Sequence, residues 1–221
     1  MNEYVAFLLD RYPDVLVAMR EHLIISGVAV LLGCLVAIPA GVYLSGDRPA
    51  WVRSAAFGAA NVFQTVPSLA LLAVLIPLFG IGLRPAVFAL FLYSLLPILR
   101  NTYAGLQSVD PAMLEAARGM GYSAWQRLSR IQLPLAFPYI MSGIRVTTVY
   151  VISWTTLATL IGAGGLGQLI FAGLGVNREE LIFTGAAAAI LLALVADFSL
   201  GRIERAVFVR TKRPAPAGNG A

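Results

Sequence analysis

Residue types able to do chemistry are scarce in this 221-residue chain, and their positions exclude most of the chemistry they could perform. There is one histidine, His22, and one cysteine, Cys34. A metal cluster needs several such ligands and an internal disulfide needs a second thiol, so neither is expected. Cys34 stands inside an apolar run and reads as a small buried hydrophobe. An intramembrane enzyme would cluster His, Cys, Asp or Glu within its apolar runs, where only Asp197 is acidic. Gly162, Gly164 and Gly167 match the spacing of a dinucleotide fingerprint, but they follow an apolar helical run rather than a strand. Lys212 is the only lysine and Arg213 follows it, so a phosphate-binding P-loop is absent. Neither covalent catalysis nor a cofactor is expected.

What remains is a set of polar and aromatic side chains set in apolar surroundings. Asn61, Gln64, Thr65 and Ser68 recur at intervals of three or four, beside a Pro67 expected to kink the helix. Thr148, Thr155, Thr156 and Thr159 follow a similar spacing farther on, next to Trp154. Two polar stripes facing one cavity would line a path for a solute. On that reading the candidates are Gln64, Thr65, Ser68, Tyr93, Thr148, Trp154, Thr155 and Thr159. Hydrogen bonding between helices accounts for the same pattern. Tyr93, Tyr150 and Trp154 could offer ring faces to a permanent cation, and core packing explains them equally well. Arg145 should snorkel or pair internally, and Asp197 should pair with Arg202 or Arg205.

These side chains must be held by membrane-spanning helices. Hydrophobic residues make up 59% of the chain and charged ones 12%, about half the share of a soluble domain, with mean hydropathy +0.81. The apolar runs are continuous rather than alternating, and spanning backbone must satisfy its own hydrogen bonds, so helices are expected. Five spans are placed at about 23–44, 55–79, 85–106, 138–161 and 181–201. Residues 1–22 carry an apolar stripe of Val5, Leu8, Leu9, Tyr12, Val15, Leu16 and Met19, and read as an amphipathic helix lying at the interface. The tail 206–221 is basic, Pro/Gly/Ala-rich at its end, and expected to be disordered.

The net charge of +5 suits lipid headgroups better than nucleic acid, because the basic residues sit between apolar runs rather than on a polar face. With five spans, one side collects Arg48, Arg53, Arg100, Arg118, Arg127, Arg130 and the five C-terminal basic residues. The other collects only Arg11, Arg20, Arg84 and Arg178. The positive-inside bias then puts the N-terminus outside and the C-terminus in the cytoplasm.

Between the third and fourth spans, residues 107–134 are heavily punctuated. Asp110 is a good N-cap with Pro111 at the first helical position, and Gly119 or Gly121 can end that helix. Ser123 with Gln126 makes a capping box for a second short helix, and Pro134 closes the segment. Within it stand Glu115-Ala116-Ala117, Gly121, and Ile131-Gln132-Leu133-Pro134. Their types and spacing resemble the EAA motif of ABC importer permeases. Gln64 to Leu72, Leu95 to Tyr103, and Thr159 to Gly167 look like the permeases of glycine betaine, carnitine and choline importers. The methionine-importer permeases are the nearest alternative.

The resemblance implies an all-α, five-span type I ABC importer permease in a bacterial or archaeal cell membrane, working as half of a pair with a second permease subunit. It also implies separate ABC ATPase subunits and an extracytoplasmic substrate-binding protein. The short EAA helix would dock in a cleft of the ATPase, with Glu115, Ala116, Ala117, Gly121, Ile131, Leu133 and Pro134 as the coupling residues.

Overall fold

The computed structural model describes residues 2–211, and the regular structure among them is helical. In chain order the elements are α1 (Asn2–Ser45), α2 (Ala50–Thr65), α3 (Ser68–Phe79), α4 (Leu83–Gln107), α5 (Pro111–Gly119), α6 (Ala124–Arg127), α7 (Leu133–Ala158), α8 (Gly167–Val176) and α9 (Glu179–Thr211). A π-helical turn, Leu128–Gln132, joins α6 to α7 without a break, and a 3-10 turn, Thr159–Ile161, ends α7.

Four of the described helical stretches are long and apolar enough to cross a membrane, and α2 with α3 makes a fifth, bent passage. That bend is sharper than the kink expected at Pro67: the two helices meet at 99° across Val66 and Pro67. Val66 is extended, as the residue before a proline prefers, so the chain leaves the helix completely rather than bending within it.

The expected boundary at residue 22 is not a break in the backbone. α1 runs uninterrupted for 44 residues, through Pro13 and Pro39, a length of about 66 Å. Of the expected interfacial stripe, Val15 and Met19 pack on a cluster with Leu166, Leu169, Ala188 and Leu192, while Leu9, Tyr12 and Leu16 stay exposed. The side chains of Val5 and Leu8 lie outside the described residues. At the other end, α9 continues to Thr211, past the expected start of the tail at 206, and residues 212–221 lie outside the described residues.

The core sits where α1 and α7 close on α4. Small residues let the backbones approach: a side chain at Gly33 would strike Ser94, and one at Gly41 would strike Thr102. Two bonds define the ends of the bundle. Gln107 donates to the Ser45 carbonyl at 2.9 Å, so α1 and α4 finish together. The Gly82 amide donates to the Ile161 carbonyl at 2.8 Å, so the start of α4 meets the end of α7 at the opposite pole.

Candidate functional site

At the pole where α1 and α4 finish, residues 108–132 fold as a compact, self-capped unit. The Asp110 carboxylate accepts the Ala112 amide at 2.8 Å, with Pro111 in the first turn. Ser123 Oγ accepts the Gln126 amide and Gln126 Oε1 accepts the Ser123 amide, closing the capping box. Arg127 donates to the Tyr122 carbonyl across the joint. Of the two glycines able to end α5, Gly121 takes the left-handed conformation, at φ +83°. Nothing lies near its absent Cβ, so backbone conformation and not space calls for glycine there.

The coupling candidates separate on this unit. Glu115 and Ala116 are exposed on α5, flanked by exposed Met113 and Met120, and Trp125 stands 70% exposed on α6. Glu115 makes no ion pair among the described residues. Ala117 is turned the other way and is fully buried within its own chain, so it is not available to touch another protein. The turn between neighbouring residues of a helix is the reason: Ala116 and Ala117 face directions about 100° apart. Ile131, Leu133 and Pro134 are half-buried. Pro134 does not close the segment as expected. It lies directly after the π-helical turn, inside a helix continuous from α6, and the helix runs on through it.

Deeper in the bundle, Gln64, Tyr93 and Trp154 meet around a cavity of about 210 Å³, together with Pro97, Thr147, Tyr150 and Val151. Gln64 Nε2 donates to the Tyr93 carbonyl at 2.6 Å, and the Tyr93 hydroxyl donates to the Val66 carbonyl at 2.7 Å. These two bonds clamp the α2–α3 break onto α4 and satisfy a carbonyl that the break sets free. The Tyr93 and Trp154 rings stand edge to face, 4.3 Å between centroids.

The remaining path candidates do not join them. Thr65 is exposed and bonds the Val62 carbonyl, and Ser68 lies beyond the bend at the start of α3. Thr148 and Thr155 turn their hydroxyls back to the carbonyls of Ile144 and Val151 four residues earlier, and Thr155 is fully buried. An apolar setting offers a hydroxyl few other partners, and this local bond is the cheapest way to satisfy it. Thr159 holds the Gly164 carbonyl at 2.7 Å. Sequence reasoning missed Pro97 and Val151 as lining residues because neither carries a polar signal, and missed Thr147 because the threonine stripe runs through its neighbour Thr148.

At the opposite pole, the glycine-rich stretch 162–167 is strapped to α1 by two residues that the sequence reading left without a role. Glu21 accepts the Gly165 amide at 2.9 Å. His22 is fully buried: its Nδ1 accepts the Leu166 amide at 3.2 Å and its Nε2 faces the Ile152 carbonyl at 2.9 Å. Those partners require a neutral ring with the proton on Nε2. Gly162, Gly164 and Gly165 all have positive φ, and a Cβ at Gly167 would overlap the Thr156 carbonyl. A Glu-His pair opening an apolar run was the available signal.

Asp197 pairs with Arg145, not with the expected Arg202 or Arg205. The guanidinium makes a forked bond, with Nη2 to Oδ2 at 2.7 Å, and Glu204 approaches it at 3.7 Å. Asp197, Gly201 and Glu204 fall on one stripe of α9 facing α7, with Gly201 leaving room for the guanidinium. Arg202 lies instead over the Phe198 ring.

Comparison with known proteins gives a consistent picture. Residues 29–209 match the model of a family described as "Binding-protein-dependent transport system inner membrane component". The chain is 46% identical, over 99% of both chains, to the carnitine transport permease protein OpuCB of Listeria monocytogenes. It is 46% identical, over 94% of both, to the glycine betaine/carnitine/choline transport system permease protein OpuCB of Bacillus subtilis. Against the osmoprotectant import permease protein OsmW of Salmonella typhimurium it is 40% identical, over 90% of this chain and 94% of that one. Among solved structures, the inward-facing MetNI methionine ABC transporter matches with TM-score 0.79 and 25% identity, over 87% of this chain and 95% of the matched one.

Proposed function

The chain belongs to the binding-protein-dependent transport system inner membrane component family, a permease subunit of ABC importers, and from that premise we propose that its solutes are quaternary-amine osmoprotectants such as glycine betaine, choline or carnitine. The observation that carries the solute class is 46% identity across nearly the whole chain to permeases named for carnitine and for glycine betaine, carnitine and choline, with 40% identity to one named for osmoprotectants. It outweighs the methionine reading, whose support is a structural match at 25% identity.

In this reading the chain is half of the translocation path, paired with a second permease, and the self-capped unit 108–132 is the handle by which a separate ATPase moves it. Exposed Met113, Glu115, Ala116 and Met120 form its docking face, and a unit capped at both helices transmits a push without deforming. Arg48, Arg118, Arg127 and Arg130 belong to that same pole, so the positive-inside bias makes it cytoplasmic, with the N-terminus outside. ATP-driven closure then switches the bundle between outward- and inward-facing states.

The test is uptake by proteoliposomes holding the permease, its ATPase and its binding protein. ATP-dependent accumulation of labelled betaine, choline or carnitine is the expected result. Accumulation of methionine with none of these overturns the solute assignment.

A further inference from the structure

The cavity at the α2–α3 break has a chemistry of its own. Its lining contains no acidic and no basic side chain: three aromatic rings (Tyr93, Tyr150, Trp154), two of them with hydroxyls, one amide (Gln64), the Thr147 hydroxyl, a proline and a valine. The Thr147 hydroxyl donates to the Gly143 carbonyl, the Tyr93 hydroxyl to Val66, and one Gln64 N–H to Tyr93, so the donors facing the cavity are largely engaged. A primary ammonium entering here would leave water for a site without a carboxylate, its three N–H groups sharing the lone pairs of Gln64 Oε1 and the hydroxyls, which is costly. A quaternary ammonium has no N–H to satisfy, and aromatic faces within about 6 Å attract it through the ring quadrupole. The C-terminal end of α2, which carries partial negative charge, borders the cavity through Gln64. A broken helix beside a cavity is also the usual architecture of a solute site within a membrane transporter.

We infer that this cavity, between Gln64 on α2, Tyr93 on α4 and Tyr150 and Trp154 on α7, is a transit subsite for the trimethylammonium group of the solute. It rests on the solute class proposed above and adds a place and a selectivity rule. The subsite reads the N-methyl end alone, because nothing charged is present to read a carboxylate. One subsite therefore serves solutes that end in a carboxylate and solutes that end in a hydroxyl.

Saturation-transfer NMR on the permease–ATPase complex in nanodiscs tests it, with tetramethylammonium as the probe and methylammonium as the comparison. The expected result is transfer to the methyl protons of tetramethylammonium, weak transfer to methylammonium, and about a tenfold loss of tetramethylammonium affinity in Trp154→Ala and Tyr150→Ala. Trp154→Phe keeps a ring and should retain most of the signal, which separates lost binding from lost folding. Equal signals from the two probes, or a Trp154→Ala complex that binds tetramethylammonium like wild type, overturn the subsite. The two proposals fail separately: wild-type complex that imports no quaternary amine removes the solute assignment and the subsite with it. Wild-type import matched by Trp154→Ala and Tyr150→Ala removes the subsite alone.

Discussion

The two poles of this molecule solve the same problem, holding an irregular stretch of backbone rigid, by different means. The unit 108–132 is closed by bonds between residues two to five positions apart: Asp110 to Ala112, Ser123 to Gln126, Arg127 to Tyr122. The glycine-rich turn 162–167 adds to its local bonds, such as Thr159 to Gly164, two ties to residues 144 positions away, Glu21 to Gly165 and His22 to Leu166. The first unit can keep its shape while its exposed face engages another protein. The second depends on α1 and α7 staying where they are, so any shift between those helices is felt at the turn. Local closure suits a handle, and remote closure suits a joint.

The contrast gives a graded series of expectations for the thermal stability of purified protein. The largest effect belongs to Gly167→Val, whose side chain would overlap the backbone carbonyl of Thr156. It should lower stability by about 3 kcal/mol or more and sharply reduce the yield of folded protein. A stable Gly167→Val protein would break the description of this turn as tightly packed.

Next comes His22→Ala, which leaves the buried Leu166 amide without an acceptor and opens space around it. A loss of about 2–3 kcal/mol is expected, with hydrogen exchange rising at 164–167 but not at 110–127. Exchange rising equally at both poles would show that they are not independent.

Smaller still, Ser123→Ala and Gly121→Ala should each cost about 1 kcal/mol, with no change in exchange at the glycine-rich turn. Their effects should add with that of His22→Ala, since the sites share no partner. Non-additivity of more than about 0.5 kcal/mol would contradict the separation.

Smallest for stability is Glu115→Ala, within about 0.5 kcal/mol of wild type because the side chain is exposed and unpaired among the described residues. Its consequence should appear instead as weaker retention of the ATPase on affinity purification and slower uptake. Ala116→Glu should be more severe in the same assays. Ala117→Glu should fail differently, by disturbing the packing of α5, since Ala117 is fully buried within the chain. Normal ATPase retention by Ala116→Glu would remove α5 from the docking surface.

Composition and hydropathy were enough to make the chain an all-helical membrane protein, because twenty consecutive apolar residues leave the backbone no other way to satisfy itself. The caps of α5 and α6 were equally legible, since Asp110, Ser123, Gln126 and Gly121 act within one turn of where they stand. Spacing alone paired residues wrongly wherever the partner came from another helix. It gave Asp197 to Arg202 or Arg205, although the stripe of α9 that carries it faces Arg145. It left Thr148 and Thr155 between a solute path and bonds to other helices, whereas their hydroxyls bond carbonyls of their own helix and neither lines the cavity at Trp154. It gave His22 and Glu21 no task, although together they hold a turn at the far end of the chain. Periodicity fixes which residues share a face of one helix. Which face meets which neighbour depends on how five passages rotate and pack against each other, and that is settled only when the whole bundle closes.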